Sequence, residues 1–217
     1  MPRTLEDITS AAPEELKALA SSVRAVIERM LVIDTTHDDL VWAKQQLDEV
    51  ADRLARHGRT SLTPRLGRKG ETADARPYTM RSVFMPEHNP IAPLVDTRFE
   101  NGVLRGTVTL GVAYEGPPSC VHGGIVASLL DQILGQANLS GGVPAMTGTL
   151  KIRYLAPTPL FTELRFEART DRVEDRKVVT EGRILAGDRV TAEAEGLFVL
   201  LEPKHELRKK FHRADDA

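Results

Sequence analysis

Between Gly123 and Leu139 the chain reads GGIVASLLDQILGQANL, an apolar helix that carries a single charged side chain, Asp131, two turns in. Ile125, Val126, Leu129, Leu130, Ile133 and Leu134 surround that carboxylate in sequence, and a helix this apolar has to pack against other elements. Ser140-Gly141-Gly142 ends it with a glycine C-cap signal. On both sides the hydrophobic period changes from helical to the two-residue alternation of strands. Leu94 to Phe99 and Val103 to Val112 flank Asn101-Gly102, a hairpin turn signal. Leu160, Thr162, Leu164, Phe166 and Ala168 alternate with mostly charged neighbours, as do Val190, Ala192, Ala194, Gly196, Phe198 and Leu200. Asp175-Arg176 and Gly187-Asp188 read as turns. The order is strand, strand, long helix, then three or more strands with short connections. It predicts an α+β fold, an antiparallel sheet with one helix on its apolar face.

The start of that helix is chemically informative. Its first backbone N–H groups lack intrahelical partners and carry a partial positive charge. Gly123 and Gly124 let a ligand oxygen approach those donors with no Cβ in the way. A carbonyl-polarising helix end and a carboxylate sheltered among these apolar side chains are the parts that acyl transfer or hydrolysis requires. Eight residues, about 12 Å at roughly 1.5 Å per residue, separate Gly123 from Asp131. One carbonyl therefore cannot meet both groups of the same helix. A two-fold dimer with antiparallel helices solves this by pairing Gly123 of one subunit with Asp131 of the other.

Towards the N-terminus, residues 13 to 57 read as two amphipathic helices that break at Asp34–Asp39, a hairpin whose apolar stripes pack on something else. Residues 1–58 are expected to form this hairpin, 59–77 a basic linker, 78–202 the main domain and 203–217 a charged tail. With 29 basic and 31 acidic residues, the charge balance gives no case for nucleic acid. One cysteine excludes an internal disulfide framework. No apolar run approaches the roughly 20 residues of a membrane span, and the first seven residues lack a signal peptide's apolar middle, so the expected location is the cytoplasm. The six histidines form no metal-ligand spacing with Cys, Asp or Glu, and no phosphate-cradling glycine loop occurs, so neither metal nor cofactor is expected.

His122-Gly123-Gly124, with an acid nine positions after the His, resembles the PaaI-like branch of the hotdog-fold acyl-CoA thioesterases. Thr147-Gly148-Thr149-Leu150-Lys151-Ile152-Arg153-Tyr154-Leu155-Ala156-Pro157 is similar to that family's second signature, a threonine-bearing strand with a Tyr-x-x-Pro exit. The likeness runs from about residue 78 to 202. It implies a sheet wrapped around one central helix and sites at a dimer interface, in a homodimer or dimer of dimers. It implies hydrolysis of acyl-CoA to free acid and CoA, within fatty acid metabolism. The Gly123 amide would be the main donor to the thioester oxygen, with Gly124 beside it, and Asp131 the general base or nucleophile. Thr147 matches a hydroxyl that helps hold the attacking water.

His122 would orient the acyl group or brace the loop, bracing being the commoner role of a lone histidine. Thr147, Thr149 and Lys151 share a face of an extended strand, which makes Thr149 a substrate-binding candidate. Arg176 and Lys177 are candidates for the phosphates of CoA. Met146, Leu150, Phe84, Met85 and Val121 would neighbour the acyl channel. Relatives carry a polar residue shortly before His-Gly-Gly, where this chain has Gly116-Pro117-Pro118-Ser119-Cys120. Two other functions fit the same fold: a non-catalytic acyl-CoA-binding sensor or interaction protein, and an enoyl-CoA hydratase. A carboxylate at position 131 argues against the first, and the lack of an Asp/His pair in one loop against the second.

Overall fold

The computed structural model describes residues 13–56, 83–84 and 88–200. Two helices, α1 (Pro13–Met30) and α2 (His37–Ala55), precede strands β1 (Val95–Glu100) and β2 (Val103–Thr109). A 3-10 turn (Val112–Tyr114) leads to α3 (Gly123–Ser140). Strands β3 (Ala145–Tyr154), β4 (Glu163–Glu174), β5 (Lys177–Ala186) and β6 (Arg189–Leu200) complete the chain. All strand pairs are antiparallel, in the order β1-β2-β4-β5-β6-β3. Helix α3 packs across one face of this sheet, the hotdog arrangement expected from the sequence.

Each boundary has a local cause. Asn101 and Gly102 both have positive φ, 50° and 76°, as the two central residues of a hairpin turn matched to strand twist require. At the end of α3, the Val143 N–H donates to Asn138 O (2.8 Å) and the Gly142 N–H to Leu139 O (3.0 Å). These are the two bonds of a Schellman cap. Strand β4 begins at Glu163, three residues later than the alternation predicts. Phe161, at φ 54°, turns the chain there. The Leu160 and Phe161 amides bind loop carbonyls, Ser119 O and Leu110 O, instead of a strand ladder.

The core lies between α3 and the sheet. Val126, Leu129, Leu130, Ile133 and Leu134 meet Leu104, Val108, Leu164, Phe166, Ile184 and Phe198. Each such side chain contributes about 1.5–3 kcal/mol on burial. Asn138 is a buried polar residue on α3: its Oδ1 accepts from Thr170 Oγ1 (2.8 Å) and Thr180 Oγ1 (2.6 Å), tying α3 to β4 and β5. On the opposite face of the sheet run exposed ion pairs, Arg183–Glu167 (2.6 Å) and Arg153–Glu193 (2.8 Å) among them. These keep that face solvated and add at most about 1 kcal/mol each.

Phe198 shows how tightly the core is specified. Its ring lies over Gly196, where a Cβ would come within 2.4 Å of Cε2, and against Gly135 of α3. Phe198→Ala is therefore expected to cost about 3–5 kcal/mol, from lost transfer energy and the cavity left behind. Chemical denaturation measures this, and a loss below about 1 kcal/mol would contradict the packing described.

Both N-terminal helices form, but they differ in cover. Helix α1 buries Ala20 and meets the 3-10 turn. Helix α2 is capped by Thr36, whose Oγ1 accepts from the Asp39 N–H (3.3 Å), yet none of its residues is buried. Its stripe of Leu40, Leu47, Val50 and Leu54 stays exposed, with no described part of this chain over it. The expected linker (59–77) and tail (203–217) lie outside the described residues, as do Met85, His57, His205 and His212. Among the described residues no helix is long and apolar enough to cross a membrane.

Candidate active site

Helix α3 sets out the site along one side. Positions 126, 129, 130, 133, 134 and 137 are buried against the sheet. Gly124 and Ser128 are exposed, and Asp131 and Gly135 half-buried. The apolar residues flanking Asp131 in sequence thus cover the sheet, and the carboxylate, instead of being sheltered among them, points away and is half-buried. Its partner comes from β3: Thr147 Oγ1 donates to Asp131 Oδ1 at 2.8 Å. This fixes the carboxylate's orientation through a charge-assisted hydrogen bond. The pair sits at the edge of the sheet, since among the described residues β3 is paired on one side only, to β6.

At the other end, His122 is the N-cap of α3, and its Nδ1 accepts the Gly124 N–H at 2.9 Å. The imidazole therefore braces the first turn and commits the Gly124 amide. Among the described residues the Gly123 N–H donates to no group. It is the free donor of this helix end. Tyr154, at the exit of β3, donates its hydroxyl to Gly123 O (2.9 Å) and supports the same turn from outside. Tyr154 stands in the Tyr-x-x-Pro exit, where residue order alone gives no sign of this role. Its role depends on a contact across 31 positions. The loop before His122 is also fixed: the His122 N–H donates to Tyr114 O, the Val121 N–H to Thr158 O and the Gly116 N–H to Cys120 O. Ser119 stands at φ 63° with its N–H donated to Glu115 Oε1 (2.8 Å).

Two expectations need correction. Thr147, Thr149 and Lys151 do not share a face. Thr147 is registered with Phe198 and Thr149 with Leu197, so Gly148 forms a bulge between them. A bulge inserts one residue and inverts the alternation. Thr147 therefore lies on the α3 side with Phe198, and Thr149 lies with Lys151 on the charged outer face, away from Asp131. Met146, paired with Val199, is likewise on that outer face and 63% exposed, which separates it from Leu150 and Val121 on the inner side. Lys177 shares the face of Val199 and Met146, and Arg176 stands in the β4–β5 turn. The single chain does not bring either cation to Asp131.

The bulge makes a direct prediction. Thr147→Val removes a hydrogen bond to a charged group, and its turnover is expected to fall about 10- to 100-fold. Thr149→Val should stay within about twofold, as an exposed substitution away from the site. Equal effects of the two variants on kcat would contradict the inverted register.

The comparisons with known proteins bear on this geometry. The family model described as the thioesterase superfamily matches residues 119–193, from the loop before His122 to the middle of β6. Mus musculus acyl-coenzyme A thioesterase THEM4 is 36% identical over 114 residues, 50% of this chain and 49% of the relative. The Xenopus laevis protein of that name is 36% identical over 112 residues, 48% and 50% of the two chains. The chain thus spans about half the length of these curated relatives. A crystal structure described as that of a thioesterase superfamily protein is 34% identical, with a TM-score of 0.75 over 85% of this chain and 94% of that one. This chain belongs to the thioesterase superfamily. Residues 59–217 make up under three quarters of the chain. The likeness to that superfamily structure, at 85%, therefore reaches into the N-terminal helices as well.

Proposed function

We propose that this thioesterase-superfamily protein hydrolyses acyl-CoA thioesters, in a homodimer with two composite sites. One observation carries the reading: the free Gly123 N–H and the Thr147-held Asp131 lie about 12 Å apart on one side of a single helix. Neither group completes a site within one chain. If Gly123 meets Asp131 of a partner subunit, the two-fold axis passes near position 127, which is alanine. Gly124 and Ser128 leave the first turns of that side of α3 free of bulky side chains. The edge of β3, unpaired among the described residues, runs beside it, with its backbone groups available to a second copy.

In this reading the thioester carbonyl oxygen accepts the Gly123 N–H at the positive end of α3. Asp131 of the partner subunit, oriented by its own Thr147, takes a proton from water. The water oxygen bonds to the carbonyl carbon, and the oxyanion that forms is held by the Gly123 amide. Collapse breaks the C–S bond, the CoA thiolate leaves and is protonated, and the free acid is released. Water activation needs no covalent anhydride. The THEM4 relatives bear the name acyl-coenzyme A thioesterase, which supports CoA as the carrier of the acyl group.

Release of free thiol from short, medium, long and aromatic acyl-CoAs tests the activity and ranks the chain lengths in one experiment. Turnover of at least one of these supports the proposal. Acyl-CoA binding without thiol release from any of them would overturn it in favour of a sensor.

A further inference from the structure

We infer that Glu28, on α1, is a positioning residue for the helix end that holds the thioester carbonyl; this rests on the hydrolytic function proposed above. The 3-10 turn Val112–Tyr114 has Gly111 as its N-cap, and Gly111 has no side chain with which to satisfy the turn's first N–H. Glu28 supplies the missing acceptor from 84 positions away, its Oε2 taking the Val112 N–H at 3.2 Å.

The approach is so close that a Cβ on Gly111 would come within 2.5 Å of the Glu28 carboxylate. Arg24, one turn earlier on α1, donates to Asn89 O at 3.2 Å, and Tyr114 Oη donates to Ile91 O at 3.0 Å. These contacts dock α1 and the turn against the same segment. Burial raises the Tyr114 phenol above its ordinary value, with Arg24 opposing the shift and Glu28 adding to it. Both side chains are therefore close enough to act on the ring.

From the turn the connection is short. The Tyr114 carbonyl accepts the His122 N–H at 2.9 Å, and His122 Nδ1 accepts the Gly124 N–H at 2.9 Å. A chain of hydrogen bonds thus runs from α1 through Glu28, the 3-10 turn and His122 to the first turn of α3. Gly123 lies between its last two members. Neither Glu28 nor the 3-10 turn belongs to the site proposed above. The consequence of these bonds is the direction in which the Gly123 N–H points, and an ångström of misplacement at such a donor can cost about 100-fold in rate.

The test compares Glu28→Ala, Glu28→Gln, Gly111→Ala and the double variant in the 217-residue chain. Thiol release is normalised to the folded fraction, and hydrogen exchange is followed at the amides of residues 112–124. Glu28→Ala is expected to lower kcat about tenfold with KM within about twofold, and to speed exchange at Val112, His122 and Gly124. Glu28→Gln keeps an acceptor oxygen and should restore most of the rate. Gly111→Ala pushes the carboxylate aside and should reproduce the alanine phenotype. The double variant should be no worse than Glu28→Ala, because both changes break one contact.

An unchanged kcat in Glu28→Ala would overturn the inference. So would exchange that quickens uniformly along α3, which marks general destabilisation. If the unsubstituted protein releases no thiol from any acyl-CoA, the hydrolytic reading has failed. Exchange at His122 and Gly124 then decides alone whether Glu28 holds the helix end.

Discussion

Asp131→Asn is expected to lower thioester turnover by about 100- to 10,000-fold while leaving the fold in place. The substitution is nearly isosteric, and the amide oxygen still accepts from Thr147 Oγ1, so the 2.8 Å contact to β3 can persist. Lost is the ability to take a proton from water. Because Asp131 is half-buried and points away from the core, its neutralisation should not disturb Leu129, Leu130 or Ile133. Substrate affinity should change little, so the loss falls on kcat. Thiol release under saturating acyl-CoA, with circular dichroism to confirm folding, measures it. A variant with more than about a tenth of the original kcat would remove Asp131 from the proton-transfer role.

Gly123→Pro is the complementary change, with an expected loss of about 100- to 1,000-fold in kcat. Proline at the first helical position suits the helix, since its φ is already set and its missing N–H is one the helix does not use. His122 stands at φ −58° and ψ 133°, backbone angles that a residue before proline adopts readily. A Cβ at position 123 would meet Tyr154 at an ordinary 3.7 Å. The substitution therefore removes one donor and little else. Full activity in this variant would show that the Gly123 amide holds no oxyanion.

Mixing the two inactive variants tests the composite site. A mixed dimer has one site with both groups intact and one with neither. Random exchange of subunits should restore about a quarter of the original activity per total protein. No recovery, with subunit exchange shown by mass, would place both groups of a site in one subunit.

Much of this protein was legible from local signals. The Gly123–Ser140 helix, its glycine stop and the Asn101-Gly102 turn depend on residues near one another in sequence. So does the charged outer face of β4. Asp131 stood out because a lone carboxylate in an apolar helix has few structural reasons to be there. Where local patterning misled, a backbone irregularity was responsible. The bulge at Gly148 inverted Thr149 relative to Thr147, and the positive φ of Phe161 delayed the start of β4. Alternating hydrophobicity carries no mark of either, because both arise from how the chain meets its neighbours.

The sequence alone determined the main elements, their order and the spacing that separates Asp131 from Gly123. These follow from periodicity and from the fixed rise of a helix. Only the tertiary structure decided that Thr147 and not Thr149 holds the carboxylate, that Tyr154 and His122 brace the helix end, and that Glu28 reaches the Val112 amide. Each of those is a contact between residues made neighbours by the fold or by a local backbone turn. A hydrogen bond needs an angle and a distance near 3 Å, and residue order supplies neither.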